Sequence, residues 1–126
     1  MYPKNLKYSE THEWIKAGNG TAKIGITFYA QEQLGDIVFV ELPQVGDEFS
    51  REDAFGVVES VKAVSDLLMP VAGKVIGVNE QLEDTPEILN SDPYNGGWII
   101  EIEITDPKQL RELKDAQEYE KILNTE

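Results

Sequence analysis

The stretch Phe55-Gly-Val-Val-Glu-Ser-Val-Lys-Ala-Val-Ser-Asp-Leu-Leu-Met69 sets one lysine, Lys62, between two runs that both read as β-strand. Val, Leu and Phe dominate the flanks and no Gly or Pro falls between Val57 and Met69, which predicts a hairpin with its tip at Val61-Lys62-Ala63. Pro70 closes the second strand because it has no N–H for the ladder. A lysine at such a tip is presented, not packed. Exposed lysines are ordinary, so the rest of the chain must decide whether this one has chemistry to do. The two halves about Lys62 are loosely similar, as in a pseudo-two-fold pair of small sheets.

Outward from the hairpin the chain continues as β-structure. Gly18-Asn19-Gly20 is a turn signal joining Glu13–Ala17 to Thr21–Ile26. Thr27 is a good helix cap, and Gly35 suits a helix end, so Phe28–Gly35 reads as one short helix. Ile37–Leu42, nearly all apolar and stopped by Pro43, reads as a strand buried on most of both sides and central to the core. Short strands follow at Glu48–Phe49 and Gly73–Asn79. In Trp98–Ile104 the residues Ile100, Ile102 and Ile104 share one face, with Glu101 and Glu103 on the other. Pro86, Pro93 and Gly96-Gly97 make Gln81–Gly97 a loop with at most one helical turn, near Glu87–Leu89. Asp106-Pro107 opens a helix over Lys108–Lys114, and Asp115 caps a second over Ala116–Leu123. The pattern is a mainly β sandwich or barrel with a short helix near 28–35 and a C-terminal helical segment.

Composition narrows the function. The chain has 126 residues, 40% of them hydrophobic, enough for one core and one domain, 1–126. With 11 Lys+Arg against 24 Asp+Glu, the net charge of −13 repels nucleic acid and anionic membranes and favours a monomer with protein partners. The absence of cysteine removes disulfide scaffolds, thiolate metal sites and a cysteine nucleophile. The single histidine, His12, supports neither a multi-histidine metal site nor more than one dyad, and is read as structural. No run approaches the roughly 20 apolar residues of a membrane span, and the start lacks a signal core or transit pattern, which implies a cytoplasmic protein.

Several blocks resemble the H proteins of the glycine cleavage system, the lipoyl-carrying members of that complex. They are Thr11-His12-Glu13-Trp14, Gly25-Ile26-Thr27, the run from Ala30 to Pro43, Val45-Gly46, Glu59-Ser60-Val61-Lys62-Ala63, Ser65-Asp66, Pro70-Val71-Ala72-Gly73, Val78-Asn79, Asn90-Ser91, Asp92-Pro93-Tyr94 and Gly97-Trp98. The resemblance runs from Leu6 to Tyr119. It implies a barrel-sandwich hybrid of two small antiparallel sheets, with lipoate in amide linkage on Lys62. A primary amine can be acylated, and the dithiolane at the end of the tether supplies sulfur that this chain lacks.

The resemblance further implies a cycle. The arm accepts an aminomethyl group from glycine decarboxylase, a pyridoxal-phosphate enzyme, delivers its methylene carbon to tetrahydrofolate at the aminomethyltransferase with release of ammonia, and is reoxidised by dihydrolipoyl dehydrogenase. A lipoate-attaching enzyme loads it first. Thr11, Glu13 and Asp66 stand at the positions that contact the aminomethyl group, where a carboxylate can pair an ammonium. Thr11 replaces the more frequent serine and keeps its hydroxyl. Glu59 and Gly46 stand at positions linked to recognition by the lipoate-attaching enzyme, although Gly46-Asp47 needs no reason beyond a turn. Trp14 and Trp98 are read as core anchors.

Five other readings compete. H-like carriers in lipoate assembly or sulfur metabolism share the fold, and retention of Glu13 and Asp66 favours glycine. A lipoyl domain of a 2-oxoacid dehydrogenase would resemble Asp-Lys-Ala, and a biotin carrier Met-Lys-Met, where this chain has Val61-Lys62-Ala63. A hydrolase using His12 with Ser60 or Ser65 finds no support in the spacing, and a cofactor-free β interaction module is the remaining choice.

Overall fold

The computed structural model describes residues 2–125, so the two end residues of the expected 1–126 unit lie outside it. Among the described residues nine strands form in chain order: β1 (Lys7–Tyr8), β2 (Glu13–Gly18), β3 (Thr21–Ile26), β4 (Ile37–Glu41), β5 (Glu48–Phe49), β6 (Ala54–Ser60), β7 (Val64–Leu68), β8 (Gly73–Val78) and β9 (Ile100–Ile104). The helices are α1 (Phe28–Leu34), α2 (Gln81–Asp84), α3 (Ile88–Ser91) and α4 (Ala116–Thr125), with a 3-10 helix at Pro107–Glu112. The strands make two antiparallel sheets, one of six in the order β1-β2-β3-β9-β8-β5 and one of three in the order β4-β6-β7. Ile24, Ile100, Ile102, Val58 and Leu67 belong to one buried cluster to which both sheets contribute. This is the mainly β, two-sheet architecture the sequence predicts.

Local chemistry explains the elements that position the site. The Gly18-Asn19-Gly20 turn, with Asn19 and Gly20 at positive φ, joins β2 to β3 and puts Trp14 opposite Gly25. A Cβ at Gly25 would lie 2.7 Å from the indole, so the strand pair accepts the large ring only because residue 25 has no side chain. Thr27 caps α1 by accepting the Ala30 N–H at 3.2 Å. At the other end of the chain, Asp115 and Glu118 exchange backbone-to-carboxylate hydrogen bonds, a capping box that starts α4.

Four expectations are corrected. The strand at Ile37–Leu42 is not central: β4 is an edge strand, and a bulge between Ile37 and Phe39 leaves Val38 and Phe39 about half exposed. The bulge breaks the alternation, so a continuous apolar run fills only one face. The two halves about Lys62 both lie in the three-stranded sheet, so their similarity is that of one hairpin and not of a pair of sheets. Gln81–Gly97 holds two helical turns, α2 and α3, where one was expected. Finally, Asp106 makes no side-chain cap, and the segment after it is 3-10 rather than α-helical. Among the described residues, no helix is long and apolar enough to cross a membrane.

Candidate functional site

The β6–β7 hairpin ends where the sequence places it. Ser60 N–H donates to Ala63 O at 2.8 Å, enclosing a two-residue turn of Val61 and Lys62. The Ser60 hydroxyl oxygen accepts the N–H groups of Lys62 and Ala63, at 3.3 and 3.1 Å. Outside the hairpin, Asp36 O accepts the Val61 N–H at 3.0 Å. Lys62 itself is exposed, as are the nearby Val61 and Val64, at 71% and 66% exposure. Among the described residues no hydrogen bond or ion pair engages its Nζ. The backbone of the tip is therefore held while the amine stays open to solvent. Glu59, half-buried, pairs across the sheet with Phe39 and Val64, directly below the tip.

A second constellation forms where the β1–β2 loop meets the far end of β7. His12 takes φ +73°, a conformation few non-glycine residues adopt. Its Nδ1 and the Tyr119 hydroxyl share a hydrogen bond of 2.8 Å, and the same hydroxyl reaches Thr27 Oγ1 at 2.8 Å. His12 is thus a fastening of the loop, as its isolation suggested. This loop buries Glu13, 3% exposed. Its Oε1 accepts from the hydroxyls of Ser9 and Thr11, at 2.6 and 2.5 Å, and its Oε2 accepts from Leu68 N–H at 3.3 Å. Burial outweighs these donors and pushes the Glu13 carboxyl up to about 7. The group is consequently poised between acid and carboxylate near neutral pH.

Thr11 is exposed and, with Ser9, Met69 and Pro70, lines a cleft of about 280 Å³ beside this carboxyl. Ion pairs Arg51–Glu112 and Lys114–Glu10 stand among its lining residues. Asp66 is exposed on β7, opposite Val57 and two residues from the Leu68 that bonds Glu13. Strand alternation puts Asp66 and Leu68 on the same side of β7. Thr11 and Glu13 are in direct contact, whereas Asp66, on β7, bonds to neither. Gly46 lies in an exposed turn at φ +101°, its N–H donating to Val75 O at 2.8 Å, which accounts for glycine there. Sequence reasoning missed Ser9. Its signal was a hydroxyl four residues before a buried acid, which becomes visible only once the loop folds back.

Trp14 is buried and donates through Nε1 to Pro93 O at 2.9 Å. Trp98 is half-buried, with the Lys23 ammonium 5.0 Å from its ring centre. Both serve as anchors.

Two antiparallel sheets that raise one accessible lysine on a braced hairpin define a carrier domain of the lipoyl and biotinyl type. The family model described as glycine cleavage H-protein matches residues 6–126. The chain is 56% identical to the glycine cleavage system H protein of Carboxydothermus hydrogenoformans over 126 residues, all of this chain and 97% of that one. It is 53% identical to that of Vibrio campbellii over 117 residues, 92% and 93% of the two chains. The crystal structure of a glycine cleavage system H protein from Mycobacterium marinum superposes with a TM-score of 0.89 at 38% identity, covering 97% of this chain and 98% of that one. The chain belongs to the glycine cleavage H-protein family, whose role in the glycine cleavage system is that of a lipoyl carrier.

Proposed function

We propose that this chain, as a single domain, is a non-catalytic carrier that holds lipoate in amide linkage on Lys62. The observation that carries the reading is the exposed Nζ on a turn whose backbone is held by Ser60 and Asp36. Attachment forms a bond between that nitrogen and the activated carboxyl carbon of lipoate, with loss of the activating group and of protons from the ammonium. When bound, the group supplies a dithiolane that carries an aminomethyl unit between glycine decarboxylase and the aminomethyltransferase and is reoxidised by dihydrolipoyl dehydrogenase. Tethering raises the local concentration of the cargo at each partner.

The protein's own residues do the rest. Glu13, with Thr11 beside it and Asp66 on β7, pairs the cationic cargo in a site that holds it away from water. Glu59, below the tip, and Gly46, in its turn, are read by the lipoate-attaching enzyme. An acidic chain suits basic docking surfaces on partners, and with −13 charges it stays monomeric and works in the cytoplasm, away from nucleic acid and membranes.

Intact-mass measurement after incubation with a lipoate-attaching enzyme, lipoate and ATP is the test. One lipoyl adduct is expected, absent in Lys62→Ala; an adduct elsewhere, or none, overturns the carrier reading. In the loaded protein, Glu13→Ala should speed folate-independent ammonia release with lipoylation unchanged, and an unchanged release rate removes the sheltering role.

A further inference from the structure

The turn that carries Lys62 is of a kind that hairpins do not favour. Two-residue hairpin turns match the twist of their strands when a central residue has positive φ. Among the described residues the non-glycine positions with positive φ are His12, Asn19 and Glu52, so neither Val61 nor Lys62 has it. A turn of this sort splays its strands unless something outside steadies it.

The outside support is the segment after α1. Gly35 ends that helix at φ +79°, and a methyl group on it would stand 3.6 Å from Lys62 Cε, so the lysine stem runs over this glycine. The next residue, Asp36, takes the Val61 N–H. This segment has no sheet neighbour on its outer side, because β4 is an edge strand. Asn90, on α3, occupies that side. Its Nδ2 donates to Gly35 O at 2.9 Å and to Gln31 Oε1 at 3.0 Å, and its Oδ1 accepts the Ile37 N–H at 3.0 Å. Those two backbone groups, the carbonyl before Asp36 and the amide after it, are the pair that a parallel strand would engage about residue 36. One side-chain amide thus substitutes for a missing strand and sets the direction of the Asp36 carbonyl.

We propose that Asn90 is a positioning residue for the modification of Lys62: it fixes Gly35–Ile37 as a shelf on which the lysine turn rests, so that the acylating enzyme meets a preformed turn. The inference rests on the reading of Lys62 as the attachment site. Preorganisation acts on recognition, since a loose turn must be ordered at the enzyme's expense each time it binds.

The test uses the full chain with Asn90→Ala and Asn90→Asp. The aspartate keeps the shape and the acceptor for Ile37 but turns an acceptor towards Gly35 O and Gln31 Oε1, so it breaks the shelf without opening a cavity. Two quantities are measured: amide exchange of Val61 with Ile102 as the core reference, and the KM and kcat of lipoylation by a lipoate-attaching enzyme with lipoate and ATP. In both variants Val61 exchange rises about tenfold, as for loss of about one net hydrogen bond, while Ile102 is unchanged. KM for the carrier rises and kcat is kept. Val61 exchange and KM equal to wild type in a folded Asn90→Asp chain overturn the inference and leave the attachment reading standing. A wild-type chain that takes no lipoyl group overturns both.

Discussion

The Lys62 hairpin and the Glu13 pocket each hold one ionisable group, and they do so by opposite means. At the tip, backbone amides are held by Ser60 and Asp36 and the side chain is left in water. In the pocket, the side chain is buried and held by two hydroxyls and an amide. An exposed amine costs the fold little, so its conformation is free to serve recognition. A buried carboxyl costs the fold a good deal, so its presence needs three donors and shows as a displaced pKa.

The contrast is sharpest in Lys62→Arg. With Lys62 as the proposed attachment site, it should abolish lipoylation, because a guanidinium is not acylated, while unfolding by urea should change by less than about 0.5 kcal/mol for an exposed site. A loss of stability well beyond that breaks the picture of a tip without structural duty.

Next comes the pH dependence of the pocket. Glu13 in the folded chain ionises near 7 against an ordinary 4.5, so the fold binds the extra proton between those values. Its stabilising share is complete below about pH 4.5 and is lost as pH rises through 7, a difference of about 3 kcal/mol at full burial. Glu13→Gln cannot ionise, so its stability relative to wild type should rise across that window and level off above it. A flat difference between pH 4.5 and 8 in urea unfolding rejects a displaced carboxyl.

Ser9→Ala removes one donor to Glu13 Oε1 and the acceptor of the Glu13 N–H at 3.0 Å. A cost of about 1–2 kcal/mol is expected, with the Glu13 carboxyl pushed further up, readable by carboxyl NMR titration. Smallest is Ser60→Ala, which removes the same kind of acceptor from the exposed tip. About 0.5 kcal/mol or less is expected there, because water replaces the hydroxyl. Equal losses at Ser9 and Ser60 would erase the distinction between the two regions.

Much of this was legible in sequence because it is local. The Gly18-Asn19-Gly20 turn, the Thr27 and Gly35 caps, the alternation of Ile100, Ile102 and Ile104, and the apolar flanks of Lys62 each declare themselves within a few residues. What escaped depends on how segments close on one another in the fold. Nothing near Val38 and Phe39 announces that a bulge will turn them outward. Ser9 gains its role only when the loop closes on Glu13, and Asn90 only when α3 meets the end of α1, some 53 to 55 residues away. Asp66 was grouped with Glu13 by resemblance alone, and in the fold it stands two residues from Leu68, outside the hydrogen-bonded group.

The Tyr119 hydroxyl ties the two ends of the chain together. It joins residues 107 and 92 positions apart, fastening the His12 loop and the cap of α1 to the last helix. The Lys62 turn closes over three residues. On a chain emerging from its amino end, the residues of the turn are made before the helix that supplies the latch on the Glu13 loop. Closing the Glu13 loop therefore waits on the last helix, whereas the Ser60–Ala63 bond of the Lys62 turn does not.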